Sequence, residues 1–212
     1  MFSHCRNMAV GVTASLLLLS GCSNPVEETE TSLSDIEAQQ EAAVQSFTQL
    51  ADLESRLQSE FQTVLEEDED LSTLAEGSAA VHTTIEERRE ALGTLSETNG
   101  GLRGQHEEMT QIDSGEISEE AVNGVLDSLE AVTGSLDEFT SAYEAQLSSE
   151  TGYFESLGQD DATYETFREG IEAVNEEMED IQALRVQLDE EFVALEAARS
   201  TLSSQLEETS DE

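Results

Sequence analysis

Lysine is absent from this chain, and all eight of its basic residues are arginines, set against 49 aspartates and glutamates for a net charge of −41. Neutralising the phosphates of a nucleic acid takes Lys and Arg, so nucleic acid is excluded as a partner. Electrostatic attraction to an anionic lipid surface is excluded on the same ground. Cysteine is nearly absent as well, with only Cys5 and Cys22, which rules out a disulfide framework. Proline occurs once, at Pro25. Long apolar runs are limited to one, Met8 to Leu19, shorter than the roughly 20 residues that span a bilayer. An acid excess of this size fits either a disordered chain or a folded one adapted to high salt, where screening shrinks self-repulsion.

What is present begins with a targeting segment. A polar start with Arg6, the apolar run and the small residues Ser20-Gly21 have the layout of a signal peptide. The four residues Leu19-Ser20-Gly21-Cys22 resemble the lipobox of bacterial lipoproteins. The resemblance implies cleavage before Cys22 and a thioether-linked diacylglyceryl group on its sulfur. No twin arginine is present, so the general export route is expected. Export removes Cys5 and Arg6, leaving Cys22 the sole cysteine and seven arginines. The expected organisation is a signal peptide over 1–21, a lipidated Cys22 with an acidic tether over 22–34, a helical bundle over 35–208 and an acidic tail over 209–212. The tether reading rests on Ser23 to Ser34, which carry the proline and no apolar periodicity.

From Asp35 onward apolar residues recur at steps of three and four, which decides for a folded chain. The first stripe includes Ile36, Ala43, Phe47, Leu50, Leu57, Phe61 and Val64, interrupted by Gln40, Glu54 and Asp68. The second includes Val81, Ile85, Leu92, Leu95, Leu102 and Met109, and the third Val125, Leu129, Val132, Leu136, Phe139, Tyr143, Leu147, Phe154 and Leu157. The fourth runs Tyr164, Phe167, Ile171, Val174, Met178, Ile181, Leu188, Phe192, Leu195, Leu202 and Leu206. Breaks are expected at Gly77-Ser78, at Ser114-Gly115 with Ser118 starting the next helix, and at Gly158, with Asp160 or Asp161 capping the last helix. Three glycines at 100, 101 and 104 predict a kink or break in the second helix. Short connections make neighbours antiparallel. The fold class is therefore all-α, an elongated four-helix up-and-down bundle with coiled-coil-like packing, its last helix roughly 65 Å long at 1.5 Å per residue.

Motifs for chemistry are weak. A di-metal carboxylate site in a bundle uses Glu-x-x-His pairs, but neither His82 nor His106 has a glutamate three residues before it. The run Glu66 to Asp70 lacks the glycine and spacing of a calcium loop and reads as a solvated helix end. No Gly-x-Ser-x-Gly elbow or Ser-x-x-Lys pair is present. No catalytic, cofactor or metal residue is assigned, and the chain reads as a non-enzyme. Arg88-Arg89, the one cationic pair, is expected to form salt bridges to Glu86, Glu87 and Glu90.

The order of features resembles the YkyA-type cell-wall-binding lipoproteins of low-GC Gram-positive bacteria. The likeness is carried by Glu87-Arg88-Arg89-Glu90, by the segment from Ala142-Tyr143 through Glu150 to Tyr153-Phe154-Glu155-Ser156-Leu157, and by Ile171-Glu172-Ala173-Val174-Asn175. The resemblance implies a four-helix bundle on the outer face of the cytoplasmic membrane, held by the lipid on Cys22 and contacting a cell-wall polymer or an envelope protein. The lack of lysine departs from the family. Beside this stands a different class of function, an accessory lipoprotein subunit handling a solute or ion for an envelope enzyme or transporter.

Overall fold

Among the described residues, the spacing of apolar residues builds four long helices and one short one. The computed structural model describes residues 24–112, 115 and 117–210; the signal peptide and Cys22 lie outside them. The elements are α1 (Pro25–Glu67), α2 (Ser72–Ala75), α3 (Ala80–Met109), α4 (Glu119–Leu157) and α5 (Tyr164–Ser210). Among the described residues there is no strand, and no helix is long and apolar enough to cross a membrane.

Cross-helix pairs set the topology. Arg56 of α1 meets Glu87 of α3, while Gln39 lies against Gly101, so α1 and α3 run antiparallel. Arg88 of α3 meets Glu150 of α4, and Arg103 meets Asp137. Ser135 of α4 bonds Glu191 of α5, and Tyr153 bonds the Phe167 carbonyl. Arg185 and Arg199 of α5 reach Glu54 and Glu37 of α1, closing the ring. The stripes meet inside, where Ile36, Leu50, Leu95, Leu129, Phe139, Tyr143 and Leu195 are among the fully buried side chains. Phe47 packs edge-on against Phe139 with ring centroids 5.1 Å apart.

Three expectations need correction. The segment from residue 25 to 34 is not a tether but the first turns of α1. Pro25 falls at the start of the helix, where its missing N–H is no loss, and the Asn24 side chain accepts from the Val26 N–H at 3.1 Å. Glu27 and Glu28 sit in the first turn, where the helix dipole favours acids. Thr29, Ser32 and Leu33 are buried. The second correction concerns the break expected in α3, which runs as one helix through its glycines. Asn99 donates to the Thr133 carbonyl at 3.2 Å and to Asp137 at 2.6 Å, Arg103 bonds both groups too, and Leu102 is buried, so packing on α4 overrides propensity. Third, the cap of α5 is neither Asp160 nor Asp161 but Thr163, whose hydroxyl accepts from the Thr166 N–H at 3.2 Å.

Other breaks follow the expected chemistry in more detail. Ser118 caps α4 through the Ala121 N–H. The first connection opens earlier than Gly77, at Asp68, whose carboxylate accepts from the Thr73 N–H and hydroxyl at 3.0 and 2.7 Å. Those two bonds hold the Asp68 carboxyl below the usual aspartate range. The acidic run thus ends α1 and folds back on the turn carrying α2, which buries Leu74. Gly77, at φ +69°, takes a left-handed conformation that suits glycine.

Gly158 is fixed by space rather than by dihedral. A Cβ there would lie 2.5 Å from the Leu71 carbonyl oxygen and 2.6 Å from the Ala75 nitrogen, both backbone atoms. Gly158→Ala is expected to destabilise by about 1–3 kcal/mol through overpacking. Gly93→Ala, in mid-helix with open space around it, should instead stabilise by up to ~1 kcal/mol. Paired urea titrations of the two variants check both signs.

Candidate functional site on the open seam

The four long helices do not close evenly. α1 packs along α3, α3 along α4 and α4 along α5, but α1 and α5 touch sparsely. A looser seam, crossed by Arg185–Glu54, Arg199–Glu37 and the Gln40 bond to the Phe192 carbonyl, therefore runs between the first and last helices. Near the start of α1 it holds a cavity of ≈440 Å³ between Leu33, Glu37, Glu196 and Arg199. Further along lies one of ≈370 Å³ beside Gln40 and Val44. A narrower, mostly apolar cavity of ≈140 Å³ lies between Leu57 and Phe61 of α1, Phe154 of α4 and Ile171, Val174 and Met178 of α5.

The floor of that apolar cavity is ionic. Arg88 and Glu150 both line it, and both are buried, at 0% and 2% exposure. Arg88 donates to both carboxylate oxygens of Glu150, a two-pronged pairing. Its Nε also donates to the Tyr143 hydroxyl at 2.8 Å. The Tyr143 hydroxyl in turn donates to Glu54 at 2.8 Å, and Arg185 donates to both Glu54 oxygens at 3.1 and 2.6 Å. Gln146 donates to Glu150 at 2.7 Å. Two arginines and two glutamates thus form a neutral network linking all four long helices.

Burial sets the proton affinities. Burial pushes the Glu150 carboxyl above the usual glutamate range, and Arg88 and Gln146 pull it back without cancelling the rise. For Arg88 burial opposes the charge, but Glu150 and Tyr143 outweigh it and hold the guanidinium protonated. The Tyr143 hydroxyl is raised chiefly by burial, against the pull of Arg88. It therefore stays protonated and free to donate to Glu54. Tyr153, which also lines the cavity, is pushed up to about 12 by burial.

The sequence-derived residues fare unevenly. Arg89 does pair with Glu86, as expected, and also with Glu144. Arg88 does not take a neighbouring glutamate; it turns inward to Glu150. His82 contacts the Leu74 carbonyl oxygen at 2.9 Å, which ties α3 to α2. Cys22 lies outside the described residues. Glu54 was visible as a gap in its stripe, whereas Glu150, Gln146 and Arg185 were not singled out. Among the described residues no group of three or more His, Cys, Asp or Glu side chains is placed to hold a metal ion.

The segments that carry the resemblance, around Arg88, Tyr143 to Phe154 and Ile171 to Val174, all meet at this apolar cavity and its floor. A sequence model of the YkyA family, described as "Putative cell-wall binding lipoprotein", matches residues 24–205. The chain belongs to the YkyA family. Family membership thus extends from the cap of α1 to the last turns of α5. The fold agrees with a solved structure titled as a conserved protein of unknown function from Staphylococcus aureus. The two superpose with a TM-score of 0.63 at 14% identity, over 84% of this chain and 91% of that one. No curated protein matches the chain in sequence.

Proposed function

We propose that this YkyA-family chain is exported, cut before Cys22 and held by a diacylglyceryl group on the outer face of the cytoplasmic membrane, where its bundle makes non-catalytic contact with the cell wall. The observation that carries this reading is the family match over residues 24–205, whose description joins a lipoprotein to wall binding. The lipobox Leu19-Ser20-Gly21-Cys22 supports the anchor.

The charge pattern decides how such contact works. Each arginine of the described residues, at 56, 88, 89, 103, 168, 185 and 199, already has a carboxylate partner. None is left over to attract an anionic wall polymer directly, so divalent cations bridge the two acidic surfaces. Purified wall sacculi should retain the lipid-free protein in millimolar magnesium or calcium and release it on chelation. No retention with or without the cations would sink the wall-binding reading. The anchor is tested separately. A single acyl chain binds membranes only marginally, whereas two hold stably. Cys22→Ser should therefore release the protein or block its processing, read by membrane fractionation; a mature variant that stays membrane-bound would rule the anchor out.

A further inference from the structure

Large apolar side chains stand in water on only the two helices that border the seam, and of these Val44 and Ile171 line its cavities. Among the described residues the large exposed hydrophobics are Val44 and Leu65 on α1 and Tyr164, Ile171, Val186 and Val193 on α5. α3 and α4 contribute none. On α5 they fall in pairs seven residues apart, Tyr164 with Ile171 and Val186 with Val193, so each pair shares one face two turns apart. The N-terminal third of α5, from Tyr164 to Asp180, has no fully buried residue, although its stripe is as regular as the rest. Half-buried Phe167, Val174 and Met178 lie in this stretch, and Val174 and Met178 line the apolar cavity. A seven-residue spacing is the pattern a helix receives from another helix; a polysaccharide or an extended strand does not call for it.

Charge selects the helix. The seam cavities are lined by Glu30, Glu37, Glu41, Glu196 and Glu207, and its two arginines, Arg185 and Arg199, are already paired with Glu54 and Glu37. A second copy of this chain would bring the same acids against these, and like charges facing each other across an interface disfavour association. A helix with an apolar stripe flanked by lysine or arginine meets both conditions. We propose that the α1–α5 seam is a docking groove for a basic amphipathic helix of a partner protein, laid along the bundle as a fifth helix. This docking does not depend on wall contact, because it uses the seam and no bridging cation.

Three labelled peptides of about four heptads test the proposal against the full-length protein in detergent, by fluorescence anisotropy at moderate and at molar salt. One carries a leucine stripe flanked by lysines, the second the same composition scrambled, the third the same stripe flanked by glutamates. The first is expected to bind about tenfold more tightly than either other, the size of one well-buried contact, and to retain that margin over the scrambled peptide in molar salt. Ile171→Glu and Val44→Glu, both at exposed positions that line the seam cavities, should each weaken it by a similar factor. Ser141→Glu, an equal charge change on an exposed site of α4, should not. Equal binding of the ordered and scrambled peptides, or an equal loss with Ser141→Glu, would reduce the effect to general attraction and overturn the proposal. A concentration-dependent dimer in sedimentation, abolished by Ile171→Glu or Val44→Glu, would overturn it in favour of a second copy.

Discussion

Replacing Arg88 with methionine is expected to lower the unfolding free energy by about 3–5 kcal/mol, because it strands the Glu150 carboxyl in the core without its counter-charge. Domains of this kind are stable by only about 5–15 kcal/mol in total, so the variant should approach the edge of folding. Arg88 is fully buried and Glu150 nearly so, so solvent does little to replace the lost guanidinium. The double replacement Arg88→Met with Glu150→Leu should behave quite differently. With both charges gone and their volume filled, the change is expected to be neutral or stabilising by about 1–4 kcal/mol. Urea titrations of Arg88→Met, Glu150→Leu and the double complete a mutant cycle, and a cost below ~1 kcal/mol for Arg88→Met would show that solvent reaches the pair.

The pH dependence has a definite sign. The folded carboxyl of Glu150 lies above the ordinary glutamate value, so the folded state holds this proton more firmly than the unfolded chain does. Its contribution to stability is full below the unfolded pKa and declines as pH rises through the folded one. Acid therefore does not unfold the protein through Glu150. Relative to the wild type, Glu150→Gln should show a less negative slope of stability against pH just above the ordinary glutamate range.

The whole domain is expected to lose helix in dilute buffer and to regain it in molar sodium chloride. At a net charge of −41, carboxylates repel one another between adjacent helices, whose axes lie about 8–10 Å apart. The screening length is about 30 Å at 0.01 M and only about 3 Å at 1 M. Low salt thus leaves this repulsion intact, and molar salt removes it at the spacing between helices. Exposed pairs such as Arg168 with Glu172 add about 0.3–0.5 kcal/mol each, too little to offset so many like charges. The Arg88–Glu150 pair, out of solvent, is screened far less and continues to hold the core in high salt. Circular dichroism that does not change between these conditions would overturn the repulsion argument.

The helices were legible because period and caps act locally. Ser118 read as an N-cap, and it is one. The tether over 25–34 was misread because its buried Thr29 and Ser32 are polar by composition; only packing on the rest of the bundle shows that they face inward. The glycines near 100 were misread for the mirror-image reason, since a local cost was outweighed by bonds from Asn99 and Arg103 to a helix thirty residues away. The ionic floor leaves a trace in the stripes, of which Glu54 alone reads as an interruption. Each stripe has a seven-residue gap at this level, among others elsewhere: Leu50 to Leu57, Ile85 to Leu92, Leu147 to Phe154 and Ile181 to Leu188. Those intervals hold Glu54, Arg88, Glu150 and Arg185, two acids and two bases. The gaps are visible in one dimension, but that they lie at one level follows only from the helix directions and loop lengths. The seam was not legible at all, because a regular stripe does not say whether a neighbour covers it.

The start of α1 at Pro25 bears on how far the protein reaches. A flexible segment of a dozen residues would let a domain wander over a hemisphere, diluting its binding face through that volume. If Cys22 carries the proposed lipid, only two residues separate the anchor from a helix of 43 residues, about 65 Å long. Such a post holds each level of the bundle at a set distance along its axis, with Glu54 and the ionic floor about 45 Å from the helix start. A partner fixed at that height meets the seam at a high effective concentration, and one anchored much nearer the bilayer scarcely meets it. Inserting a glycine-serine stretch between Ser23 and Pro25 would abolish that discrimination while leaving the bundle intact.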